Sequence, residues 1–247
     1  MTMPNVVVAG AVQTARRTHE GDGAEVLRLF PLLGERMNLD PFMLFDHFFL
    51  EPGTGFPTHP HRGFEAITYL FEGGMQHRDN LGNDSTVTAG GAQRFTAGRG
   101  IEHSEMPAGK TAGIQLWINL SQANKKIAPA YQAVPADAIP VHLFKGGQTR
   151  VIVGPDSPLQ LHTPLRYEDI SLDAGGAMTT EVPADWQGFA YVVDGEVKVQ
   201  DQDVTAGQAI HLGGGVCRIQ TAQGARILLC VGRPHGEPVR QYGPYVD

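Results

Sequence analysis

Apolar positions in this chain fall in short runs broken by turn-forming residues, and no stretch sustains the periodicity of a long helix. The 31 glycines and 17 prolines are spread as single breaks rather than gathered in one tract. That spacing predicts many short strands joined by turns. Arg36-Met-Asn-Leu-Asp40 leads into Pro41-Phe-Met-Leu-Phe-Asp-His-Phe-Phe-Leu50, a run too apolar to lie on a surface. Residues 121–140 carry Pro129, Pro135 and Pro140 and predict an extended, largely non-helical linker, because proline restricts itself and its predecessor. The strand pattern resumes at Arg150-Val-Ile-Val-Gly154.

The pattern also repeats. Val87-Thr-Ala-Gly-Gly-Ala92 returns as Val204-Thr-Ala-Gly-Gln-Ala209, and upstream Tyr69-Leu-Phe-Glu-Gly73 returns as Tyr191-Val-Val-Asp-Gly195. The anchors lie 18 residues apart in the first copy (69 to 87) and 13 in the second (191 to 204). A longer hairpin around Arg78 to Asn83 would account for the difference. One unit used twice, with an acidic-Gly turn, a hairpin and an Ala-Gly turn, predicts two antiparallel β-barrels or sandwiches in tandem. The expected division is 1–120, a linker over 121–140, and 141–247.

Composition narrows the function. A formal charge of −7 without a basic run disfavours direct nucleic-acid binding. No apolar stretch approaches the ~20 residues of a membrane span, and the opening Met1-Thr-Met-Pro-Asn-Val-Val-Val8 has no basic region before its apolar run. Cys217 and Cys230 are too few for a disulfide framework and lie in apolar strand-like segments, as buried thiols do. A soluble, cytoplasmic protein is expected. A monomer is expected too, since two packed copies in one chain reproduce the arrangement that single-copy proteins reach by dimerising.

The chemistry concentrates in the first copy. In an extended chain residues i and i+2 share a face, so His59-Pro-His61 presents two imidazoles to one point. Glu65 keeps the same parity unless Gly63 interrupts the strand. His103-Ser-Glu105 is a second such pair, following the turn Gly98-Arg-Gly100. Three nitrogens and one carboxylate oxygen suit a divalent transition metal with positions left open for other ligands. Arg62 is expected to pair with an acid in preference to holding an anionic substrate. His19, His47, His77, His142, His162, His211 and His235 have no partner at ligand spacing and read as structural or surface residues. The glycine pairs are not dinucleotide fingerprints, and no Gly-x-Ser-x-Gly elbow is present.

Gly53-x5-His59-x-His61-x3-Glu65-x7-Gly73 resembles the first cupin motif, with one extra residue before the last glycine. Phe56-Pro-Thr-His-Pro-His-Arg-Gly-Phe-Glu65 and Thr96-Ala-Gly-Arg-Gly-Ile-Glu-His-Ser-Glu-Met-Pro107 resemble signature segments of the pirin family. So do Asp40-Pro-Phe-Met-Leu-Phe-Asp46, Gln115-Leu-Trp-Ile-Asn-Leu120 and Gln241-Tyr-Gly-Pro-Tyr245. The resemblance covers nearly the whole chain. It implies an all-β bicupin fold of two jelly-roll domains, the N-terminal cupin holding one divalent metal on His59, His61, His103 and Glu105. Iron(II) is implied first, with manganese, nickel, cobalt, copper or zinc as alternatives. Some pirins cleave flavonols such as quercetin with dioxygen; others are redox-sensitive transcriptional cofactors that bind a protein partner. Glu105 or Glu65 would then serve as the base of a dioxygenase. Carried onto the second copy by the repeat, the ligand positions fall on Glu181, Pro183, Gln220 and Ala222 and Glu65 on Gln187, so that half is expected to hold no metal.

Overall fold

Short strands bounded by glycine and proline turns can satisfy their backbone groups by antiparallel pairing, and the computed structural model of the chain is built that way. It describes residues 9–31 and 39–247. The opening residues 1–8 and the lead-in residues 36–38 lie outside the described residues. Two units result, and they are interleaved along the chain.

One unit comprises Arg16–Ile139, Pro158–Thr163 and His235–Asp247. Its larger sheet runs, in order, Ala130–Val134, Ala92–Thr96, Phe64–Glu72, Thr111–Asn119, Phe42–Leu50, Ala24–Phe30 and Arg16–Glu20. The smaller runs Phe56–His61, Ile101–Pro107, Gly74–Asp79 and Asp84–Thr88. Residues 121–140, expected as linker, hold two short 3-10 turns and the strand Ala130–Val134, which pairs with Ala92–Thr96. Phe42–Leu50 is buried at every position but Phe49, as its unbroken apolar run requires.

The other unit comprises the N-terminal strand Ala9–Thr14 with Pro140–Ser157 and Pro164–Pro234. Its strand order is Ala9–Thr14, Gln208–Leu212, Gln187–Val199, Ala225–Gly232, Leu165–Leu172, Gly147–Val153 and Val141–Phe144. The long strand Gln187–Val199 continues past this path to pair with Gln202–Thr205 and Gly215–Gln220. Valine, isoleucine and leucine from both parts form its core, which also buries Cys217. Each unit is therefore a pair of open sheets in a jelly-roll sandwich, not a closed barrel.

The repeat is visible in register. Tyr69 pairs with Ala92, and Tyr191 pairs with Ala209. Both tyrosines are fully buried. The hairpins differ as the spacing predicts: strands end at Asp79 and restart at Asp84 in the first copy, against Val199 and Gln202 in the second. Among the described residues no helix is long and apolar enough to cross a membrane.

Candidate metal centre

Period-two alternation sends His59 and His61 to one side of the strand Phe56–His61, and His103 and Glu105 to one side of Ile101–Pro107. The strands pair antiparallel with His103 opposite His59. One ring nitrogen from each of His59, His61 and His103 consequently lies within 4.8 Å of the others. The opposite nitrogens are engaged elsewhere. His59 Nδ1 lies 2.7 Å from the Pro57 carbonyl oxygen, His61 Nδ1 3.4 Å from that of Pro244, and His103 Nδ1 3.4 Å from His77 Nδ1. A carbonyl only accepts, so His59 and His61 donate through Nδ1, which leaves Nε2 as the nitrogen of each ring available to a ligand.

Burial pulls the His61 pKa down to about 3, with the His103 and His59 rings adding to the effect. Burial, then His59 and His77, brings His103 down to about 2. Both rings are thus neutral at pH 7, the state in which imidazole binds a metal. His103 Nε2 is enclosed and has no hydrogen-bond partner among the described residues. Leaving such a group unsatisfied costs about 1–3 kcal/mol. A cation between the three rings would satisfy it, so the donor set fits a transition metal.

Glu105 is buried beside these rings but is not part of the three-histidine group. The pairing slips between His103 and Glu105, which comes opposite Phe56. A polar row on three adjacent strands, Gln93, Thr68 and Gln115, grips it instead. Gln93 Nε2 and Thr68 Oγ1 each lie 2.7 Å from Oε1, whereas Oε2 has only Gln115 Nε2 at 3.4 Å. Oε2 is the oxygen left for a metal or a proton.

Glu65 is not brought to the imidazoles. The chain turns at Gly63, whose φ of +85° only glycine adopts readily and where a Cβ would meet the Val246 carbonyl oxygen at 1.8 Å. Phe56–His61 and Phe64–Glu72 are separate strands of different sheets, so the parity expected from sequence is reset. Thr68, three positions along, reaches Glu105; Glu65 points to the opposite face. Its carboxylate accepts from Thr96 Oγ1 at 2.8 Å and from the backbone N–H of His162 and Thr163 at 2.9 and 3.4 Å. Full burial on those donors suits an anchor, not an acid or base facing a substrate.

A cavity of about 740 Å³ opens beside His59, His61 and Glu105. Its walls are one face of the seven-stranded sheet, through Leu44, Phe48 and Trp117, together with Phe56 and the C-terminal residues Gln241, Gly243 and Pro244. Trp117 stacks on Phe64 at 4.3 Å and stands edge-on to His61 at 5.0 Å. Arg28 and Asp46, paired at 2.8 and 2.6 Å, also line it. Arg62 pairs with Asp247 at the surface. Cys217 and Cys230 are both buried and free, and burial raises both thiol pKa values, that of Cys217 to about 11. Sequence reading missed Trp117, Pro244 and His77 as parts of this centre. Each lies far along the chain from the imidazole it touches, or outside ligand spacing.

The model of the family described as Pirin matches residues 23–118, and that of the Pirin C-terminal cupin domain matches residues 167–247. A pirin-like protein 2 of Arabidopsis thaliana is 40% identical, covering 94% of this chain and 77% of its own. Pirin of Homo sapiens is 38% identical, covering 94% of this chain and 84% of its own. The crystal structure of a quercetin 2,3-dioxygenase from Acinetobacter baumannii superimposes with a TM-score of 0.90 at 29% identity, covering 98% of this chain and 92% of that one.

Proposed function

The chain belongs to the pirin family, and from that premise we propose that it is a metal-dependent dioxygenase cleaving flavonols such as quercetin. The observation that carries the reading is the buried Nε2 of His103, without a hydrogen-bond partner among the described residues, beside the imidazoles of His59 and His61. In this proposal His59, His61 and His103, with Glu105 Oε2 as fourth ligand, hold one divalent ion, iron(II) first. The ion supplies Lewis acidity that lowers the pKa of a hydroxyl bound to it. On binding of the flavonol, Glu105 Oε2, the less committed oxygen, would give up its place as ligand and take the proton of the 3-hydroxyl, while Oε1 stays held by Gln93 and Thr68. Leu44, Phe48, Phe56 and Trp117 give a flat aromatic substrate an apolar slot and exclude water. The volume lies in the range of about 300–1,000 Å³ usual for small-molecule sites. The overall reaction consumes dioxygen, opens the central ring and releases carbon monoxide. The similarity to the Acinetobacter baumannii protein, named as a quercetin 2,3-dioxygenase, supports this reading.

The test is oxygen uptake on mixing quercetin with protein loaded with iron, manganese, nickel or cobalt. No uptake with any of the four would sink the proposal. Pirin-like protein 2 of Arabidopsis thaliana and pirin of Homo sapiens carry no enzymatic name, and the second reading is a metal-bearing, redox-responsive regulator of a protein partner. That reading predicts a copurifying partner and a metal without flavonol turnover.

A further inference from the structure

We propose that His77 and Asp79 are positioning residues of the metal centre, holding His103 in the one tautomer whose Nε2 lone pair faces His59 and His61. The proposal rests on the reading of those three imidazoles as metal ligands. His77 and Asp79 lie on the strand Gly74–Asp79, which pairs with Ile101–Pro107 so that His103 is opposite Asp79 and Glu105 opposite His77. Alternation therefore turns His77, Asp79, His103 and Glu105 to one face of the smaller sheet.

The hydrogen-bond chain has only one consistent assignment of protons for neutral rings. His77 Nε2 lies 3.0 Å from Asp79 Oδ2, and a carboxylate accepts, so Nε2 carries the proton. His77 Nδ1 then bears a lone pair. Across the 3.4 Å contact, His103 Nδ1 must be the donor, which leaves its Nε2 bare. A doubly protonated or reversed His77 would force the His103 proton onto Nε2 and close that nitrogen to a metal.

Asp79 is built to be ionised. Burial raises its pKa, but hydrogen bonds from Asn83, His77 and Leu81 outweigh that and hold it below the ordinary carboxylate range. Oδ1 accepts from the N–H groups of Leu81 and Asn83 at 2.9 and 3.0 Å, and Oδ2 from Asn83 Nδ2 at 2.8 Å. Among the described residues no lysine or arginine pairs with it; the ring that meets it is His77, and both side chains are fully buried. A carboxylate buried without lysine or arginine is compensated best by a cation at the far end of its chain. The donors come from the turn 80–83, within the hairpin that is longer in the first copy of the repeat than in the second. Tyr131 stacks flat on His77 at 4.0 Å and fixes the ring plane.

Two measurements test this. In metal-free protein carrying 15N-histidine, long-range proton–nitrogen correlation should show His103 protonated at Nδ1 and His77 at Nε2. His103 protonated at Nε2 would overturn the proposal without any variant. Cobalt(II) titration should then find His77→Phe, which keeps the stack on Tyr131, binding about 10–100-fold more weakly. His77→Asn, whose amide oxygen can accept near the Nδ1 position, should recover most of the loss. In the cobalt-loaded protein the exchangeable, paramagnetically shifted Nδ1–H signal of His103 should be lost or moved in His77→Phe and return in His77→Asn. Equal cobalt affinity in wild type and His77→Phe would remove the positioning role and leave the metal reading standing. A wild type that takes up no cobalt(II) would remove both.

Discussion

Replacing Glu65 with alanine should unfold the protein before it affects chemistry, and the size of the effect follows from its partners. The substitution strands Thr96 Oγ1, which lies at 2.8 Å in full burial, at a cost of about 1–3 kcal/mol, and returns the N–H of exposed His162, at 2.9 Å, to water. It also removes a counter-charge. Arg94 donates to Thr96 Oγ1 at 2.8 Å, burial lowers its pKa, and the nearby Glu65 charge opposes that shift. Breaking a buried charge network from one side costs about 3–5 kcal/mol. These overlapping contributions give about 4 kcal/mol, or a fall in Tm of about 8–16 °C at roughly 2–4 °C per kcal/mol. Glu65→Gln keeps the shape and one acceptor oxygen, and should lose less than half as much. Both variants should keep the wild-type metal content while folded. The assay is urea unfolding with metal analysis on the same samples. A Glu65→Gln variant as stable as wild type but without flavonol turnover would refute this reasoning and restore Glu65 as an acid or base; one that purified empty would make it a ligand.

Further outcomes follow from the same geometry. Elemental analysis should give one tightly bound metal per chain, with occupancy largely lost in His61→Ala and in His103→Ala. Two metals per chain would show that the second cupin also binds. Burial lowers the Lys125 pKa to about 8 although its ammonium donates to Gly63 O and Asn119 Oδ1. Between about pH 8 and the unfolded value near 10.5, the unfolded chain binds the extra proton, so stability rises with pH at up to about 1.4 kcal/mol per unit. That gain is lost as pH falls from about 10.5 to about 8, and below about 8 the difference is flat. The wild-type-minus-Lys125→Met difference in urea midpoint should therefore grow more favourable to wild type from pH 8 to pH 10, and a flat difference would count against the assignment.

Local pattern was sufficient for much of this protein. Alternation placed His59 with His61 and His103 with Glu105, because a strand's two-residue period belongs to each segment by itself. The repeat likewise located Tyr69 and Tyr191 at equivalent register, and the longer first hairpin, since both depend on turns a few residues long. What the chain order could not reveal was everything set by pairing across it. Gly63 sends His61 and Glu65 into different sheets, the interruption that the sequence allowed for but could not decide. Glu105 is drawn to Thr68, Gln93 and Gln115 by a slip in strand pairing. His77 had no partner at ligand spacing, yet the register of Gly74–Asp79 against Ile101–Pro107 sets it against His103. The Pro244 carbonyl reaches His61 from 183 residues away. Side-chain direction is a property of one strand and can be read from it. Which strands become neighbours, and in what register, is decided by burying all the apolar faces at once, and only the folded chain settles that.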